Sequence, residues 1–109
     1  MSYSVKLTHT FEKNLKRLVK KYPSLKNEYI NLIEGLKNQA VQGVHLGKQC
    51  YKIRIGIASK GKGKSGGARI ITNVVDSQST VYLLTIYDKS EKDSLKNKEL
   101  EELLQDLPF

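Results

Sequence analysis

The sequence predicts an α+β fold: an antiparallel four-stranded sheet with an N-terminal αα-hairpin on one face and a short C-terminal helix, in the order β-α-α-β-β-β-α. Three observations predict it. Two apolar stripes of helical spacing follow one another on either side of Pro23. Three runs rich in β-branched and aromatic residues fill much of the second half, separated by turn residues. A leucine stripe closes the chain.

Each element follows from its residues. Tyr3 to Leu7 alternates and reads as a short strand. Phe11, Leu15, Leu18, Val19 and Tyr22 then fall at i, i+4, i+7, i+8 and i+11, one face of a helix that Thr8 or Thr10 caps. Pro23 ends it. Leu25, Tyr29, Leu32, Ile33 and Leu36 repeat the spacing behind Ser24 as N-cap, so the pair forms an αα-hairpin whose stripes must cover the face of a sheet. Residues 39–48 carry two glycines and no period, and read as a loop. Tyr51 to Ile57 alternates strictly, and Arg69 to Val75 and Thr80 to Tyr87 are the next strands, joined by a turn over Asp76 to Ser79. A helix from about Lys96 to Gln105 places Leu100, Leu103, Leu104 and Leu107 on one side.

The 109 residues suit a single domain spanning 1–109. The one cysteine, Cys50, excludes an internal disulfide and suits a reducing compartment. No apolar run approaches the roughly 20 residues of a membrane span, and the N-terminus lacks a signal-peptide core. A soluble, cytoplasmic protein is expected. The net charge of +8 is unevenly spread: residues 1–75 hold 15 Lys/Arg against 3 acids, residues 76–109 hold 4 against 8. A basic body of this kind points to a polyanionic partner, nucleic acid first.

The segment Ser59 to Arg69, SKGKGKSGGAR, ends like a nucleotide-binding P-loop at Gly63-Lys64-Ser65. The position where that motif needs its first glycine is Ala58, and a strand pattern follows where a helix is required. A basic hairpin loop is the better reading.

Period 2 assigns the faces. With Ile53, Ile55 and Ile57 towards the helices, Lys52 and Arg54 look away. In the following strand Ile70, Thr72 and Val74 face in and Arg69 faces out. In the last strand Tyr82, Leu84 and Ile86 face in, with Tyr87 out beside Val81, Leu83 and Thr85. The open face gathers Lys52, Arg54, Arg69 and Tyr87, with Asp76 and Asp88 as the acids near enough in sequence to pair with Arg69.

This order of elements resembles the RelE/ParE superfamily of bacterial toxin–antitoxin toxins over essentially the whole chain. The resemblance is carried by Tyr51-Lys52-Ile53-Arg54, by the loop Gly61 to Arg69, and by Tyr82 to Lys92, and is similar to the RelE/HigB-like branch. It implies a toxin held inactive by a cognate antitoxin, RelE-type members cutting mRNA on the ribosome and ParE-type members inhibiting DNA gyrase.

RNA cleavage by attack of a 2′-hydroxyl on its phosphate needs a proton acceptor, charge stabilisation and a leaving-group donor. Arginine suits the second through its planar bidentate grip. His9 and His45 lie away from the basic face, and the carboxylates have no metal-ligand spacing, so neither metal nor small-molecule cofactor is expected. The resemblance implies Arg69, Lys64, Lys89 and Tyr87 as catalytic residues. Lys52, Arg54, Lys60, Lys62 and Lys92 are the candidate RNA contacts, with ribosome and mRNA as partners. Two alternatives stay open: a non-enzymatic gyrase inhibitor, and a basic nucleic-acid-binding module without catalysis.

Overall fold

A computed structural model of the protein describes residues 2–61 and 66–109. Its strands are β1 (Ser4–Leu7), β2 (Val44–Gly47), β3 (Cys50–Ile55), β4 (Ala68–Val75) and β5 (Thr80–Asp88); its helices are α1 (His9–Lys21), α2 (Leu25–Asn38) and α3 (Asn97–Gln105). Thr8 caps α1, its hydroxyl accepting from the Phe11 amide at 3.2 Å. Ser24 occupies the N-cap of α2 without capping it through its side chain. Its hydroxyl instead donates to Glu28 at 3.1 Å and meets Ser59.

The sheet is five-stranded and mixed, in the order β1-β5-β4-β3-β2, which corrects the expected four antiparallel strands. β1 pairs with β5 in parallel, because α1 and α2 carry the chain away before β5 returns beside it. The fifth strand is β2, in the segment expected to be loop. It joins β3 through Lys48 and Gln49, both at positive φ, as a tight hairpin with the sheet's twist requires. Gly43 makes the entry possible: a Cβ there would lie 2.1 Å from the Lys52 carbonyl oxygen.

Two layers of apolar side chains sandwich the sheet. On one face Phe11, Leu18, Leu25 and Leu36, all fully buried, pack over Ile53, Ile70, Val74 and Ile86. On the other, Leu100 and Leu107 cover Cys50, Ile71 and Leu84. The face assignment holds for β3 and β4 and fails in the first half of β5. Val81 and Leu83 join the hairpin side, while Tyr82 and Leu84 turn to α3, the reverse of the alternation expected from Ile86 and Tyr87. The cause is a bulge: Ile71 pairs with Thr85 but Thr72 with Leu83, leaving Leu84 as an extra residue that shifts the phase by one.

Candidate active site

Strand register builds the centre of the site. Arg54 on β3 stands opposite Arg69 on β4, and Arg69 opposite Tyr87 on β5. Three residues remote in sequence thus form one row on the face away from the hairpin, with Cβ atoms about 5 Å apart between neighbours. Lys52 stands one row along, opposite Ile71. Arg54 is exposed and Lys52 half-buried, whereas Arg69 and Tyr87 are only 5% and 6% exposed. Arg69 is therefore on the expected face but covered. Its Nη1 donates to the Ala68 carbonyl at 3.1 Å. Burial pushes the Tyr87 phenol above its ordinary range; Arg69 beside it acts the other way and Asp93 adds to the rise. The phenol is neutral at physiological pH, and its hydroxyl is buried with no hydrogen-bond partner among the described residues.

Next along β5, Asp88 organises the end of the sheet. Its carboxylate is fully buried and accepts from the Lys60 ammonium at 2.5 Å, the Tyr22 hydroxyl at 2.6 Å, and the Ser90 amide and hydroxyl at 2.9 and 2.8 Å. Burial pushes this carboxyl up, but Lys60, Tyr22 and Ser90 outweigh it and hold it well below the usual carboxylate range. Lys60 thus belongs to an internal ion pair rather than to a free basic loop. Its ammonium also sits 5.5 Å from the Tyr22 ring centroid. Where the strand resumes, the Gly67 carbonyl accepts from the Lys89 amide at 3.0 Å. Gly67 has no room for a side chain, since a Cβ would meet the Ile55 carbonyl oxygen at 2.1 Å.

The remaining cations are engaged in part. Lys89 donates to the Asp93 carbonyl at 2.7 Å and to its carboxylate at 2.5 Å. Lys92 pairs with Glu99. Lys62 and Lys64 lie outside the described residues. The structure therefore brings Arg54, Arg69 and Tyr87 together, sets Lys52 and Lys89 beside them, and ties Lys60 and Lys92 to carboxylates. Asp76 accepts from the Tyr3 hydroxyl at 2.8 Å, and Asp88 is held by Lys60. Asp88 is the organiser that sequence reasoning missed. Its one signal is an acid ending an otherwise apolar strand, between two candidate residues. Among the described residues, no group of three or more His, Cys, Asp or Glu side chains is placed to hold a metal ion. Among the described residues, no helix is long and apolar enough to cross a membrane.

A separate apolar groove of about 610 Å³ runs over the hairpin. Leu7, Leu15, Val19, Tyr29 and Ile30 line it, and Lys16, Lys20 and Lys26 border it with a single acid, Glu12.

The family model described as the RelE toxin of the RelE/RelB toxin–antitoxin system matches residues 7–106. The fold is similar to that of a free E. coli RelE toxin mutant, with a TM-score of 0.58 and 18% identity, covering 96% of this chain and 97% of that one. It is similar also to the RelBE2 toxin–antitoxin complex from Mycobacterium tuberculosis, with a TM-score of 0.60 and 16% identity over 81% of this chain and 99% of that one. A third likeness is to an E. coli RelE mutant bound to an antitoxin RelBc peptide, at a TM-score of 0.51 and 20% identity over 89% of this chain and 98% of that one.

Proposed function

As the chain belongs to the RelE toxin family, we propose that it is a ribosome-dependent, metal-independent mRNA endoribonuclease, restrained by a cognate antitoxin. The observation that carries this reading is the row Arg54–Arg69–Tyr87, which sets two guanidinium groups and a neutral phenol side by side across three strands. A gyrase inhibitor has no need of such convergence.

In the proposed reaction the 2′-hydroxyl gives its proton to solvent water as its oxygen attacks the adjacent phosphorus, and the bond from phosphorus to the 5′-oxygen of the next nucleotide breaks. The products are a 2′,3′-cyclic phosphate and a free 5′-hydroxyl. Arg69 meets the charge that grows on the phosphoryl oxygens, with Arg54 and Lys52 holding the flanking phosphates. The Tyr87 phenol, protonated at physiological pH, can supply the proton to the leaving 5′-oxygen. Lys89 lies beside it at the strand end, and Lys64 is retained as a sequence-based candidate for the same phosphate. Since Arg69 and Tyr87 are almost wholly buried, a phosphate reaches them only once the groups that cover them give way.

The antitoxin reading draws on the hairpin groove. Its apolar floor and lysine border fit an amphipathic helix that buries one face and carries acids along its flanks.

Single-turnover cleavage of mRNA on programmed ribosomes tests the activity. Arg69→Ala should lower the rate on the order of a hundred- to a thousandfold, and Arg69→Lys should recover only part, because a point charge lacks the bidentate grip. Circular dichroism must accompany both, since the residue is buried. A folded Arg69→Ala protein cutting at the parental rate removes Arg69 from the site. A parent that cuts nothing and inhibits gyrase overturns the reading.

A further inference from the structure

The corner between α1 and α2 clasps a distant part of the chain. Pro23 fixes the corner, and three side chains beside it reach three consecutive residues of the segment that follows β3. The Glu28 carboxylate accepts from the Ala58 amide at 2.8 Å. Ser24 exchanges bonds with Ser59. Its hydroxyl accepts from the Ser59 amide at 2.9 Å, its own amide donates to the Ser59 hydroxyl at 3.2 Å, and the two hydroxyls lie 2.9 Å apart. Tyr22 shares the Asp88 carboxylate with Lys60. The second Glu28 oxygen accepts from the Ser24 hydroxyl at 3.1 Å, so these two holders brace each other.

The clasped residues, Ala58 to Lys60, form one short 3₁₀ turn. Within it the Lys60 amide donates to the Ile57 carbonyl at 3.1 Å and the Gly61 amide to the Ala58 carbonyl at 2.9 Å. So short a turn has little cohesion of its own. Ala58 and Ser59 are exposed, so apolar burial contributes little to holding them. Ser24 meanwhile leaves α2 without a side-chain cap, the role its position invites, and commits its hydroxyl to the turn instead. The turn stands where the chain leaves β3, shortly after Arg54 of the row, and Gly61 follows it with φ 72°. In the sequence Lys62, a candidate RNA contact, comes two residues after Lys60. The far end of the loop is held as well, because Gly67 accepts from the Lys89 amide and Ala68 pairs with Asp88.

We propose that Ser24 and Glu28 are positioning residues for RNA binding: from the hairpin corner they hold the turn from which the basic loop departs, so that its point of departure is fixed before RNA arrives. An unclasped turn must be ordered as RNA binds, and the backbone freedom lost at that moment is subtracted from the affinity. Neither residue contacts RNA in this role. The inference rests on the reading of the basic loop as an RNA contact; the clasp itself does not. Charge alone argues for the opposite effect. Glu28 is an acid in a chain of net charge +8, and removing an acid strengthens attraction for a polyanion. Positioning makes its removal weaken binding.

The test measures binding of the full chain to a fluorescein-labelled oligouridylate of about twelve nucleotides, by anisotropy across a salt series, with hydrogen exchange and circular dichroism alongside. Glu28→Ala combined with Ser24→Ala should remain folded and speed exchange at the Ala58 and Ser59 amides. It should bind the RNA about tenfold more weakly at every salt concentration, the equivalent of about 1.4 kcal/mol. The salt slope should stay parental, because no cation has been removed. Glu28→Ala alone should show a smaller loss of the same sign. Glu28→Gln removes the same charge but keeps an oxygen for the Ala58 amide, and should bind at least as tightly as the parent. A merely structural role shifts the melting temperature without this difference between folded variants. Parental or tighter binding by the folded double variant, unaltered exchange at Ala58 and Ser59, or an equal loss in Glu28→Gln each overturns the inference and leaves the nuclease reading standing. A parent that binds no RNA overturns the RNA reading itself, and this inference with it.

Discussion

Lys60 and Asp88, twenty-eight positions apart, form an ion pair of 2.5 Å in which the carboxylate is wholly buried and the lysine side chain 12% exposed. The pair closes the sheet end beneath Tyr22 and anchors the chain just before the glycine–lysine loop. It commits Lys60, one of the lysines of that segment, to the interior.

Lys60→Met leaves a buried carboxylate without its main counter-charge. Breaking a buried pair from one side costs about 3–5 kcal/mol, so denaturant unfolding should show a loss of that order. Lys62→Ala should leave stability unchanged, while weakening RNA or ribosome association and lowering its salt dependence by about one charge. Equal stability losses in the two variants would remove the distinction.

The same carboxylate governs acid stability. Its folded pKa lies below the unfolded value of about 3.9, so its stabilisation is fully present above that value and is lost as the pH falls below it. Glu91, held low by Arg17 and despite burial, and Asp93, held low by Lys89, act in the same direction. Thermal melts from pH 7 down to pH 2 should show a falling Tm below about pH 4. Asp88→Asn should start lower and fall less steeply. An identical slope in both proteins would assign the acid sensitivity elsewhere.

Tyr87→Phe separates stability from chemistry. Deleting a buried hydroxyl that has no partner among the described residues should leave the fold unchanged or raise its stability by about 1 kcal/mol. Cleavage on the ribosome should fall by about a hundredfold or more if the phenol transfers a proton. A Tyr87→Phe protein that is stable and fully active makes the tyrosine a packing residue.

The groove prediction concerns antitoxin capture. Ile30 is 45% exposed at its border, so Ile30→Asp should cost little in folding while abolishing the stable complex formed on coexpression with the cognate antitoxin. Lys16→Glu with Lys20→Glu should slow association and reduce its salt dependence. Undiminished co-purification with Ile30→Asp would move the contact off the hairpin.

Much of this was legible along the chain. The stripes from Phe11 to Tyr22 and from Leu25 to Leu36 are local periodicities, and they determine two helices and the face each buries. Alternation in β3 and β4 likewise determines that Lys52, Arg54 and Arg69 share the face opposite the hairpin, because side-chain direction in a regular strand depends only on the neighbouring residues. Tertiary structure decided the rest. Whether Val44 to Gly47 becomes a strand depends on a partner edge that only β3 provides, and the parallel place of β1 depends on a pairing more than seventy residues distant. The bulge at Leu84 reversed Tyr82 and Leu84 because two paired strands shared one residue unequally, which neither strand's own pattern records. Covering Arg69 and committing Lys60 to Asp88 are of the same kind. Burial and ion pairing are properties of what the fold brings near, and a sequence read by local period carries no such distance.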